Sequence, residues 1–181
     1  MNIRLLTRFC TFFSLAISTA WLGILVNATE EPQNSSVRED FGYRNDGELT
    51  MTMANNIRTL NLSENVVLTQ GTLEILGDLA ILEFDEPTQE LIKATVYGTP
   101  VSYQQQLNSD DAMVSGTSDS IVLTTEDSSG DTIIELIGNA LIESPDSTMK
   151  CIAIVYLPNT DLIRKATGPC AGILSQTDQP E

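Results

Sequence analysis

The chain has 181 residues, with 25 acidic side chains against nine basic ones, a formal charge of −16 and no histidine. Without histidine there is no imidazole base, Ser-His-Asp triad or histidine metal cage. The acidic balance repels phosphate backbones and anionic membrane surfaces, which argues against nucleic-acid binding. The length suits one domain with a single apolar core.

Arg4 and Arg8 precede an uncharged apolar stretch over residues 9–26, followed by Asn27, Ala28 and Thr29. This is the three-part pattern of a secretory signal peptide. Val26 and Ala28 suit the −3 and −1 positions, which places the cut after Ala28 and makes residues 1–28 the signal. Export from the cytoplasm follows from it. An uncleaved membrane anchor is the alternative, since 18 apolar residues reach the short end of a bilayer span. Cleavage removes two of the nine basic residues and no acid, leaving seven against 25 and a charge of −18.

Residues 29–47 are polar and acidic and read as a flexible leader. From residue 48 to 174 the texture is β: short alternating runs broken by Gly, Asn, Asp and Pro. Leu60 Asn61 Leu62, then Ser63 Glu64 Asn65, then Val66 Val67 Leu68 Thr69 reads as a hairpin with Leu62 opposite Val66. Gln70 and Gly71 turn the chain into 72–76, with Leu73 and Ile75 on one face. Further alternating pieces are 101–105, 118–124, 132–137, 140–143 and 149–156, together an antiparallel meander. Residues 175–181 read as a disordered tail.

Two internal repeats are suggested. Asn65 Val66 Val67 Leu68 Thr69 aligns with Asn139 Ala140 Leu141 Ile142 Glu143, and Thr72 to Ile75 with Thr148 to Cys151. The segment from Glu90 before Gly98 and Pro100 likewise resembles that from Asp161 before Gly168 and Pro169. Cys10 leaves with the signal, so Cys151 and Cys170 are an even exported pair, either a disulfide or two free thiols. With a turn at Pro158, Asn159 and Thr160 they lie about three residues out of register, so bonding needs a bulge or an edge position near Gly168 and Pro169.

Little in the chain points to catalysis. Asp127 to Asp131 around Gly130 is too short for a calcium loop and reads as a hairpin turn. Asp110 with Asp111, and Glu83 with Asp85 and Glu86, fall in turn-like stretches and read as solvated loops. No phosphate loop, nucleophile elbow or CxxC is present, and no metal or cofactor is expected. An exported β chain with one continuous apolar face suits a greasy ligand; a self-filled β-roll, structural or adhesive, is the rival reading.

The run Asn65 to Ile75 resembles the "GNVxVTQGxxxIxAD" core of the OstA-like, LptA-type family of periplasmic lipopolysaccharide-transport proteins. In the family's order, Tyr97 to Tyr103 is similar to its "GxGxPAxF", Gly116 to Leu123 to its "GxAxxIxY", and Ile137 Gly138 Asn139 Ala140 to its "LxGNA". The resemblance covers residues 48–172. It implies a β-jellyroll open at both ends, with an interior that binds the acyl chains of lipopolysaccharide. It implies no enzyme activity. It also implies head-to-tail homo-oligomers and edge-strand pairing with LptC-like and LptD-like proteins, bridging an inner-membrane export complex to an outer-membrane translocon.

Carried over residue by residue, the lipid-binding face is Met51, Met53, Leu60, Leu62, Val66, Leu68, Leu73, Ile75, Val101, Tyr103, Ile121, Leu123, Ile134, Leu136 and Ile142. The family's Ala-Asp appears as Gly77 Asp78 after an extra Leu76, its later Gly-Asp as Cys151 Ile152, and a basic residue of its groove mouth falls at Phe84. An inner-membrane-anchored, LptC-like component of the same system is the alternative implied.

Overall fold

The computed structural model describes residues 40–107, 112–126 and 130–175. The export signal, most of the leader, the Asp110 and Asp111 pair, Asp127 to Ser129 and the tail from 176 lie outside the described residues. Ten strands form one antiparallel sheet: β1 (Phe41–Arg44), β2 (Leu49–Ala54), β3 (Ile57–Gln70), β4 (Leu73–Asp85), β5 (Leu91–Gln106), β6 (Met113–Thr125), β7 (Thr132–Ser144), β8 (Ser147–Leu157), β9 (Leu162–Thr167) and β10 (Ala171–Leu174). The path runs from β1 through β3 to β8 in chain order and ends at β10. β2 also pairs with β3, and β9 with β8.

β1 pairs with residues 67–70 of β3 and β2 with residues 57–62, so the two are halves of one edge strand. At the other edge, β9 pairs with residues 153–157 of β8 and β10 with residues 147–150. The edges do not pair with each other, so the sheet stays open.

The long strands are bent. In β3 to β7 the ladder slips between Ser63 and Val66, Leu76 and Leu79, Tyr97 and Val101, Thr117 and Ser120, and Ile137 and Ala140. These irregularities lie side by side and crease the sheet, because extra residues in one strand bend it away from its partner. The crease is built from residues that tolerate such backbone. Glu64, Asn65 and Asn139 take positive φ, as does Gly138, and Thr99–Pro100 is cis. Asn side chains tie the bends: Asn65 Nδ2 donates to Asp46 Oδ2 at 3.0 Å, and Asn139 Nδ2 to both Asp119 carboxylate oxygens at 3.1 and 3.2 Å.

About the crease the sheet folds over on itself. Phe41 is opposite Gln70 and Phe84 is opposite Arg58, positions about 12 residues and so about 40 Å apart along a straight β3. Yet the two rings meet edge to face at 6.4 Å. Residues before and after the crease therefore form two facing layers. One carries β2, β9 and the stretch of each long strand that joins them, and the other carries β1, β10 and the remaining stretches.

Several expectations need correcting. Residues 60–69 are not a hairpin but one strand crossing the crease, because the turn-forming Glu64 and Asn65 bend the strand without reversing it. The pieces 132–137 and 140–143 are likewise one strand, β7. Phe41–Arg44, read as leader, is a strand, since Phe41 packs against the core and beside Phe84. As for the suggested repeats, Asn65 and Asn139 share a role at the crease, while the segments from Glu90 and Asp161 fall in an interior strand and an edge strand.

Candidate functional site: the interior of the folded sheet

Each long strand sends side chains inward on both sides of the crease. On one layer these are Leu60 and Leu62, Ala80 and Leu82, Ala94 and Val96, Ile121 and Leu123, Ile134 and Leu136, and Ile154 and Tyr156. From the other layer come Val66 and Leu68, Leu73 and Ile75, Val101 and Tyr103, Val114, Ala140 and Ile142, with Cys151 at its end. The layers touch where Tyr103 meets Tyr156 edge to face at 6.2 Å. Gly116 makes room for the opposite layer: a Cβ there would lie 2.9 Å from Leu136 Cδ2. Burying each such Leu, Ile or Val contributes about 1.5–3 kcal/mol, which holds the layers together.

Of the fifteen residues assigned to the inward face, thirteen are buried in this interior, from Leu60 to Ile142. Met51 and Met53 are not. Their register opposite Leu60 and Arg58 puts them on the concave side, but β2 is the last strand of its layer, and they are 57% and 62% exposed at the open end. The inward face also includes residues outside that assignment, above all Leu82, Val96, Ile154 and Tyr156. Tyr156 could have been found from the alternation in 149–156. Leu82 could not, because its run, Leu79 to Leu82, is apolar on both faces.

Two phenol hydroxyls lie in the interior. Tyr103 Oη donates to Gln105 Oε1 at 3.0 Å and Tyr156 Oη to Asp161 Oδ1 at 2.8 Å. Burial raises both phenol pKa values, with the Asp161 carboxylate adding to the shift in each case. Clefts open where the free margins of the layers meet. One of about 320 Å³ lies among Val114, Ile142, Tyr156, Asp161, Ile163 and Leu174. Another, of about 250 Å³, is floored by Phe41, Phe84, Leu91 and Leu123.

Phe84 has a cation one strand away. Arg58 pairs with Phe84 across the ladder and holds its guanidinium 5.4 Å from the ring centroid. Glu86 lies 3.7 Å from Arg58 Nε, and Gln89 Oε1 accepts from Nη2 at 2.5 Å. The carboxylates considered for acid–base work are engaged structurally: Glu83 faces Lys93 at 4.0 Å, and Asp85 caps Thr88. Among the described residues no cluster of Cys, Asp and Glu is arranged to hold a metal ion. Cys151 and Cys170 are joined as a disulfide beside the crease, with Cα atoms 4.3 Å apart.

A creased antiparallel sheet folded over a continuous apolar interior and left unclosed at its edges defines a β-jellyroll. The model of the family described as "LptA/(LptD N-terminal domain) LPS transport protein" matches residues 48–161, more than half of the chain, and the chain belongs to that family. Among solved structures it is similar to LptH, "the LptA homologous periplasmic component of the conserved lipopolysaccharide transport device from Pseudomonas aeruginosa". The TM-score is 0.59 at 17% identity, over 76% of this chain and 96% of that one, a likeness of fold. No curated protein sequence matches the chain.

Proposed function

We propose that this chain is a periplasmic, non-catalytic carrier of lipopolysaccharide that holds the lipid's acyl chains between its two layers and hands them along a bridge from the inner-membrane export complex to the outer-membrane translocon. The observation that carries this reading is the continuous apolar interior, fed by both halves of six successive strands and open toward both sheet edges. Acyl chains enter by parting the layers at their free margin, with the crease as hinge, and exchange side-chain contacts for lipid contacts at little cost in water exposure. Leu60, Leu62, Val66, Leu68, Val101 and Tyr103 are central to this surface, with Met51 and Met53 continuing it at the open end.

The unpaired edges of β1 and β2, and of β9 and β10, extend the sheet by strand addition to a second copy or to LptC-like and LptD-like partners. The acidic balance of the chain requires that metal cations accompany the headgroup. Native mass spectrometry of the periplasmic protein, purified without detergent and mixed with lipopolysaccharide, tests the reading. A lipid-bound adduct is expected, with a ladder of oligomers. A bare monomer that ignores the lipid would instead indicate a self-filled β-roll.

A further inference from the structure

The last strand of the sheet is held unusually. All four residues of β10, Ala171–Leu174, are exposed, with Ile173 at 71% and Leu174 at 79%, and among the described residues the strand has one neighbour, β8. Its attachments are the ladder to residues 147–150, the bond from Ser175 N to Asp146 O at 2.8 Å, and the disulfide from Cys170 to Cys151. A strand of this length with no buried side chain gains too little from its ladder to offset the entropy of ordering its backbone.

β9 is different. Ile163 packs against the core, and Arg164 Nη1 and Nη2 donate to the two Glu126 carboxylate oxygens at 3.0 and 3.3 Å. The two strands are separated by Gly168 and Pro169, so one can leave without the other.

We propose that the Cys151–Cys170 disulfide is a redox-set latch that decides which strand forms this edge of the sheet. With the bond intact, β10 covers residues 147–150 of β8. With it reduced, β10 detaches and those residues become an open antiparallel edge, able to pair with an incoming extended strand. Cys170 is exposed whereas Cys151 is buried, which assigns the order of events. A thiolate of a dithiol reductant attacks Cys170 Sγ, and the S–S bond breaks with Cys151 leaving as a thiolate that takes up a proton. The reductant's second thiol then displaces Cys170, which also becomes a thiol. The disulfide gains two electrons and two protons, and the dithiol is oxidised to its own disulfide. The latch goes beyond the lipid-carrier reading and does not depend on it.

Hydrogen exchange on the whole folded chain tests it, comparing the oxidised protein, the protein in dithiothreitol, and Cys170→Ser, which leaves the buried Cys151 in place. The expected result is a rise of at least tenfold in amide exchange over residues 171–174 in both the reduced protein and the variant, with Leu162–Thr167 unchanged. A smaller rise over residues 171–174 would overturn the latch. So would a loss of protection spreading through β9 and β8, which would make the bond a support of the whole domain. Further loosening of Cys170→Ser by dithiothreitol would also overturn it, since no disulfide remains there to reduce.

Discussion

Tyr103 and Tyr156 come from different layers of the folded sheet, and their rings meet edge to face with centroids 6.2 Å apart. Both are almost fully buried, so each fixes the spacing of the layers where they meet. Replacing either by Ala is expected to cost about 3–5 kcal/mol, as for other large-to-small core changes. A double-mutant cycle with Leu at both positions should show about 0.5–1.5 kcal/mol of coupling beyond burial. Urea unfolding of the four proteins measures it, and zero coupling would mean that the layers do not rely on this contact.

The same pair predicts an alkaline limit. Both phenols titrate above their ordinary range in the fold because burial disfavours the phenolate, and Tyr156 further because it donates to Asp161. Above about pH 10, the ordinary phenol value, the unfolded chain releases protons that the folded chain keeps. The contribution of these groups is therefore full below that pH and declines as pH rises toward the raised folded values. The urea midpoint should be flat from pH 8 to 9 and drop between pH 10 and 11. Tyr103→Phe should show a shallower drop.

The crease should be sensitive at Gly138. Its φ is +77°, and a Cβ there would run into the Asp119 carboxylate that Asn139 Nδ2 holds. Gly138→Ala is expected to cost about 1–3 kcal/mol from backbone strain, with further loss if the Asp119 to Asn139 contact breaks. Gly130→Ala, also at positive φ but with open space around it, should suffer the backbone cost alone. Thermal unfolding distinguishes the two.

The crease also explains what was legible in the sequence. The quoted family motifs fall largely on it: Asn65 beside Val66, Gly77 Asp78, Gly98 to Pro100, and Gly138 Asn139. These residues were readable because bends demand Gly, Asn and Pro in fixed places. The same chemistry makes turns, which is why Glu64 and Asn65 suggested a hairpin where the strand only bends. Inward positions were readable within each half strand, since Leu60 and Leu62 alternate cleanly, as do Val101 and Tyr103. They were not readable across the crease in every strand. In β4 the inward set passes from Ile75 to Ala80, and in β5 from Val96 to Val101, each changing parity. The exposure of Met51 and Met53 was hidden because alternation gives a face and not what lies opposite it.

That exposure has a consequence for assembly. Met51→Lys with Met53→Lys alters two side chains that are more than half exposed at the open end of the single chain, so stability should change by less than about 0.5 kcal/mol. If copies stack edge to edge over a continuous interior, the double variant should remain monomeric at concentrations where the parent protein forms oligomers. Light scattering coupled to size-exclusion chromatography checks this. Unchanged oligomers would place the contact elsewhere.

If lipid lies between the layers, neighbouring residues on one strand must differ in whether they touch it. Tyr103 points inward and Gln104, the next residue, is exposed on the outer face, where it donates to Glu74 Oε1 at 2.7 Å. A photoreactive phenylalanine analogue placed at each position in turn, and irradiated in cells making lipopolysaccharide, should cross-link the lipid from position 103 and not from position 104. Equal labelling at both, or labelling from 104 alone, would contradict an interior binding site.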